Sequence, residues 1–186
     1  IEEVPLPANL SIVRDVFVFA VYTGLSFVDI SNLTNENINV GIDKSLWLNY
    51  YRQKTDIHAM LPLLQPAVYI LKRYEAYHEG KRTNHVFPVP PNQVANRYLK
   101  KVAKEAGVEK NITFHCARHT FATTITLSHG IPIETVSKML GHTSIKTTQI
   151  YAKILDTKVM DDMAALKELY TRKESQKSPD NKAVNG

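Results

Sequence analysis

The sequence predicts a mainly α-helical domain with one small three-stranded antiparallel β-sheet. Apolar residues recur at helical spacing along most of the chain, and glycines stop those runs at Gly24, Gly80, Gly107, Gly130 and Gly141. Only residues 37–63 switch to a period of two. With 186 residues and 44% apolar content, the chain suffices for one hydrophobic core.

The first helix is expected in "NLSIVRDVFVFAVYTG", opened by a Pro/Asn cap region and closed by Gly24 as a C′ glycine. A short helix through "FVDISNL" follows. "NINV", "LWLNYY" and "IHAMLPL" then alternate as three strands of a meander, with turns at 41–44 and about 52–56. "LLQPAVYILKRYEAYHEG" and "PNQVANRYLKKVAKEAG" read as helices ending at Gly80 and Gly107, and "TFHCARHTFATTITLSHG" as one ending at Gly130. "PIETVSKMLG" places Pro132 in a first turn, and "TSIKTTQIYAKI" takes Thr143 as its N-cap. A last helix spans "KVMDDMAALKELYTRK". The division expected is one domain over 1–172 and a disordered polar tail over 173–186.

The longest apolar run, residues 16–25, is about half a membrane span, so no membrane association is expected. The single cysteine, Cys116, rules out an internal disulfide, fits a reducing cytosol and reads as a small buried filler. Net charge is +5 and unevenly spread. Residues 1–50 hold two basic and six acidic side chains, residues 51–110 eleven and five, and residues 111–186 ten and seven. The basic excess begins at Arg52, a footprint suited to a polyanion. The chain opens on Ile1 rather than Met, which reads as a fragment of something longer.

The densest chemistry lies in "FHCARHTFATTI", residues 114–125. His115 and His119 are four apart on one helix face, a spacing that suits zinc, with His142 as a third candidate ligand. Arg118, however, would repel a dication, and His119 alone reads as a satisfied core residue beside Phe121 and Ala122. A phosphate makes the opposite demand. His115 and Arg118 are three apart, so an imidazole and a bidentate guanidinium can grip one phosphoryl group, while His142 and Tyr151 follow downstream.

"HCARHTFAT" followed by "LGHTSIKTTQIYAKI" resembles the catalytic domain of the tyrosine recombinases, the phage-integrase family, in which a His-x-x-Arg pair, a second His and a nucleophilic Tyr occur in this order. The resemblance runs from about residue 5 to 170. "AVYTGLSFVDISNLT" is similar to the family's box I, and "YRQKTDIHAMLPL" to its hairpin segment, with Lys54 in the turn. It implies the integrase catalytic-core fold, a DNA strand-exchange activity in the bacterial cytoplasm at the nucleoid, and an N-terminal DNA-clamping domain outside this chain.

The roles it implies are Tyr151 as nucleophile forming a 3′-phosphotyrosyl bond, His115 as base, and Arg118 stabilising the phosphorane. Lys54 would protonate the leaving 5′-oxygen, and His142 would donate to a non-bridging oxygen. Neither ATP nor metal is required. The expected partners are double-stranded recombination sites and, when active, a tetramer on two duplexes, the isolated domain being monomeric. The C-terminal helix, with Val159, Met163, Leu166 and Leu169 or Tyr170 at helical spacing, would pack in cis or dock onto a neighbouring protomer.

One position departs from the family. Ser26 stands where the first active-site arginine is usual, with Asp29 at the acidic position after it; serine there recurs in integrases of bacterial conjugative transposons and related mobile elements. Arg52, two residues before Lys54, is the candidate surrogate, on the expectation that the strand continues and points both at one phosphate. Nine residues of straight helix would carry Tyr151 about 13 Å from His142. A break near Thr148 or Gln149 is therefore expected, leaving Tyr151 on a separate, movable piece. Two other readings remain at this stage, a recombinase-derived DNA-binding module inactivated by Ser26 and a histidine-metal hydrolase.

Overall fold

The computed structural model describes residues 2, 4–75, 84–152, 163, 164, 166–168 and 171. Helix α1 (Ala8–Thr23) is its axis, packing against α3 (Gln65–Glu75), α4 (Asn92–Glu105) and α5 (Phe114–Thr120). A helix touched on so many sides must be apolar nearly all round, and Val13, Val16, Phe17, Val18, Phe19 and Ala20 are all buried. Its one buried charge is satisfied in full: Asp15 accepts from Arg14 Nε at 2.9 Å, Arg73 Nη1 at 2.7 Å and the Tyr74 hydroxyl at 3.0 Å, tying α1 to α3. No helix among the described residues is long and apolar enough to cross a membrane.

Gly24 ends α1 in the left-handed region at φ 71°, its N–H donating to Ala20 O at 2.9 Å. A Cβ there would meet Phe121 Cδ1 at 2.5 Å and Leu140 Cδ2 at 2.8 Å, so glycine is required by backbone and by space. The short α2 (Phe27–Ser31) follows.

The strands β1 (Ile38–Val40), β2 (Leu46–Tyr51) and β3 (His58–Pro62) form the expected meander in the order β1-β2-β3. Register pairs Ile38 with Leu48, Leu48 with Leu61 and Tyr51 with His58. Alternation puts Leu48, Tyr50, Ala59 and Leu61 on the core face, with Tyr51 and Met60 exposed on the other.

Several expected boundaries change. Helical structure runs from Phe114 to His129 and stops at Gly130, but not as one α-helix. A π-helical turn over Phe121–Thr126 and a 3-10 turn over Leu127–His129 follow α5. Thr126 Oγ1 donates to both Phe121 O and Ala122 O, offering the carbonyls a partner other than the usual backbone amide. Pro132 is the N-cap of α6 (Ile133–Met139) rather than part of its first turn. Helix α7 (Ile145–Ala152) opens after Ser144, whose Oγ accepts from Lys146 N at 3.3 Å, so Ser144 and not Thr143 caps it.

Cys116 is half-buried rather than buried; its Sγ accepts from Thr113 N at 3.4 Å, closing a capping box at the start of α5. The stretch expected to carry α3 on to Gly80, most of the last helix and the tail lie outside the described residues. Within the last helix, residues 163, 164, 166–168 and 171 are helical, and Met163 and Leu166 are exposed.

Candidate active site

Arg118 is the fixed point of the site. It lies with Phe114 and Ala117 on the inward face of α5, where it is only 4% exposed. Its Nη1 donates to Gly24 O at 2.6 Å, and its Nη2 donates to Leu140 O and, at 3.1 Å, to His142 Nε2. Gly24 and Leu140 are the C-caps of α1 and α6, so the guanidinium lies where two helix dipoles present their negative ends. Burial, with Arg52 nearby, lowers its pKa, but an arginine keeps its charge. Three of its five N–H donors are spent on these protein acceptors.

His142 follows Gly141, which turns the chain at φ 60°. Because arginine can only donate, His142 Nε2 accepts, and the ring's proton sits on Nδ1, which donates to Thr148 Oγ1 at 2.8 Å. Burial and the guanidiniums of Arg118 and Arg52 push its pKa down to about 4. In this arrangement His142 is a neutral acceptor that orients Arg118. The role implied for it, donation to a phosphate oxygen, does not match, since both nitrogens are engaged.

Ser26 does not reach toward Arg118. It caps α2, its Oγ donating to Asp29 Oδ2 at 2.6 Å while accepting from Asp29 N at 3.3 Å. The other Asp29 oxygen accepts from Gln53 N at 3.0 Å, so buried Asp29 braces the turn that carries Arg52 and Lys54. The strand reasoning for Arg52 fails: β2 ends at Tyr51, and Arg52 opens a tight turn closed by Asp56 N–H donating to Arg52 O at 2.8 Å, with Asp56 at φ 52°. Arg52 and Lys54 therefore do not share a face. Arg52 turns inward, its Nη1 donating to Gly141 O at 3.2 Å and its buried Nε without a partner, whereas Lys54 is exposed.

Tyr151 is not on a separate piece. α7 runs unbroken through it, and the ring is only 2% exposed. The chain reverses earlier, at Gly141–Ser144, so α7 folds back over His142 and the straight-helix separation never arises. The phenol ring stacks over His142 with centroids 6.4 Å apart and stands edge-on to His119 at 4.6 Å. His119 in turn stands edge-on to His115 at 5.1 Å.

His119 is thus no satisfied core residue; it is half-buried between two site rings, its pKa lowered by burial and by His115. His115 is exposed and lines, with Ser26, Arg118, Asn92 and Asn96, a cavity of about 300 Å³. The metal reading loses its ligands: His142 Nε2 is held by Arg118, and among the described residues no three His, Cys, Asp or Glu side chains group as a metal site.

Sequence reasoning missed Thr148, the Asp29–Gln53 brace and the contact of His119 with Tyr151. Among these only Thr148 had a legible signal, three residues before Tyr151 on the same helix face.

Comparison with known proteins agrees with this geometry. The sequence profile of the phage integrase family matches residues 5–158. A tyrosine recombinase of Thermosipho africanus is 30% identical over 153 residues, covering 78% of this chain and 50% of the relative. The tyrosine recombinase XerD of Listeria monocytogenes is 35% identical over 119 residues, 58% of this chain and 40% of that protein. The chain thus spans about half or less of the curated relatives it matches.

Among solved structures, that of XerA recombinase superposes with a TM-score of 0.63 at 26% identity over 93% of this chain and 58% of that one. The Tn1549 transposon integrase in complex with transposon right end DNA gives 0.57 at 19% over 80% and 61%, a likeness of fold. With box I, the hairpin and the His-x-x-Arg to Tyr segment all inside the matched span and brought to one place, the chain belongs to the phage integrase family.

Proposed function

We propose that this chain carries the strand-cleaving centre of a site-specific DNA recombinase that works through a 3′-phosphotyrosyl intermediate. The observation that carries the reading is the gathering of Tyr151, Arg118 and His142 from three different elements around one buried guanidinium.

In this reading the Tyr151 oxygen bonds the phosphorus of a DNA backbone while the bond to the 5′-oxygen breaks. The tyrosine proton passes to His115 at the cavity mouth, and Lys54 on its exposed turn returns one to the leaving oxygen. The freed 5′-hydroxyl later reverses the step on a partner strand, so bond energy is conserved and no cofactor is consumed. A phenol of ordinary pKa about 10 is only about 0.1% ionised at neutral pH, a deficit of roughly 4 kcal/mol that nearby positive charge offsets. Arg118 supplies part of that charge. Arg52 supplies the rest, standing in for the arginine that Ser26 replaces; its inward turn and unpartnered Nε support that role.

Double-stranded DNA is the substrate, and exposed Arg97, Lys100, Lys101 and Lys104 share one face of α4 for its backbone. Two protomers on each of two duplexes are the active assembly. Incubation with a nicked suicide substrate tests the reading: wild-type protein is expected to leave a detergent-resistant adduct. Tyr151→Phe is expected to leave none while keeping its DNA affinity within about threefold. An adduct persisting in Tyr151→Phe overturns it, and salt-sensitive binding with no wild-type adduct favours an inactive DNA-binding module.

A further inference from the structure

At 2% exposure the Tyr151 ring cannot approach a DNA backbone, so some wall of its enclosure has to yield before it reacts. Two imidazoles form the walls that touch its ring. His142 is pinned at both nitrogens, by Arg118 and by Thr148, and Thr148 lies on the helix of Tyr151 itself. His119 is different. Among the described residues its ring nitrogens have no hydrogen-bond partner; it is half-buried, and its ring stands edge-on to Tyr151 at 4.6 Å and to His115 at 5.1 Å. Turning His119 about its side-chain bonds forfeits edge-to-face contacts, whereas moving His142 breaks two hydrogen bonds and frees a buried guanidinium donor.

We propose that His119 is a positioning residue, the gate that keeps Tyr151 buried in the absence of DNA and whose displacement releases the phenol toward the phosphodiester. The gate acts by shape. Its neutral imidazole fills the space beside the phenol, and its outer neighbour, His115, is the exposed ring at the cavity mouth, where an incoming phosphate would first be felt. Contact of DNA with His115 thereby reaches Tyr151 through the ring between them. This inference rests on Tyr151 being the nucleophile.

Nitration by tetranitromethane without DNA, mapped by peptide mass spectrometry, reads the gate directly. Tyr69 at 65% exposure and Tyr50 at 5% serve as open and closed references within the same molecule. His119→Ala is expected to raise nitration of Tyr151 at least tenfold with Tyr50 unchanged, and His119→Phe, which keeps an aromatic edge, to hold it within about twofold of wild type. On the suicide substrate His119→Phe is expected to cleave within about threefold of wild type.

The proposal is overturned if His119→Ala leaves Tyr151 as protected as Tyr50. It is also overturned if His119→Phe protects Tyr151 yet cleaves more than about fiftyfold slower, since the ring nitrogens would then act chemically. Failure of wild-type protein to form any adduct sinks the strand-cleavage reading instead. The nitration pattern, which needs no DNA, still decides whether His119 shields Tyr151.

Discussion

Arg118 and Arg52 bring two guanidiniums to the same site, and the fold treats them oppositely. Arg118 sits on a helix, is 4% exposed, and spends three donors on the C-terminal ends of two helices and on His142. Arg52 sits on a turn, is half-buried, and has one bond to Gly141 O with its buried Nε unpaired. A cation most of whose donors are taken by the protein also holds the fold together, whatever else its charge does. One with a buried N–H left unpaired adds little to the fold, since an orphaned donor is costly unless something binds it. The two guanidiniums should therefore differ in how far stability and cleavage depend on them.

The harshest way to break the comparison is Arg118→Ala. Two buried carbonyls, Gly24 O and Leu140 O, lose their donor, and His142 loses the hydrogen bond that orients it. A loss of about 3–5 kcal/mol is expected in urea unfolding, together with loss of cleavage. Retained stability would show that the two helix ends do not depend on this bridge.

Arg52→Ala is expected to do the reverse. Cleavage of a suicide substrate should slow by about a hundredfold or more, as removal of one transition-state donor typically does, while unfolding free energy changes by less than about 1 kcal/mol. Ser26→Arg added to it should restore part of the rate, since Ser26 borders the cavity shared by His115 and Arg118. Normal cleavage by Arg52→Ala, or a loss confined to salt-dependent affinity, removes the surrogate role.

The smallest effect concerns what burial and both cations do to His142. Its imidazole takes a proton at about 4 in the folded protein against 6.5 ordinarily. Above pH 6.5 both folded and unfolded chains hold it neutral. As pH falls from 6.5 toward 4 the unfolded chain binds a proton that the folded one refuses, so stability is lost across that window and levels off below it. For a half-exposed ring the loss is about 1–2 kcal/mol after solvent screening. His142→Gln should narrow the difference in unfolding midpoint between pH 7 and pH 4.5. An unchanged difference would mean that His142 is not a group that titrates across this window.

Much of this site was legible in the sequence because its chemistry is local. His115 and Arg118 share a helix by spacing, Lys54 falls in a turn between alternating runs, and the meander is written in Leu48, Tyr50, Ala59 and Leu61. What was not legible depends on where the chain reverses. Helical periodicity says how far Tyr151 lies from His142 along a straight axis, but the turn at Gly141–Ser144 replaces that axis, and the expected break in α7 is unnecessary. His119 looked like core because its sequence neighbours are apolar, yet its ring meets Tyr151 of α7, an element that reaches it only in three dimensions. Arg52 was expected to share a strand face with Lys54; instead it comes near Arg118 because the strand ends and the turn folds inward.

Gly24 gathers three dependencies into one atom group. Its backbone sits in the left-handed region, its missing side chain leaves room for Phe121 and Leu140, and its carbonyl receives Arg118. Mutational drift ordinarily moves through small, tolerated steps, and a single methyl group is the smallest step there is. At this position that step strains the end of α1, collides with the residues that seat α5 and α6, and displaces the acceptor of the central cation together. Adjusting one neighbour cannot offset such a change, because backbone, packing and the cation's acceptor would all have to shift together.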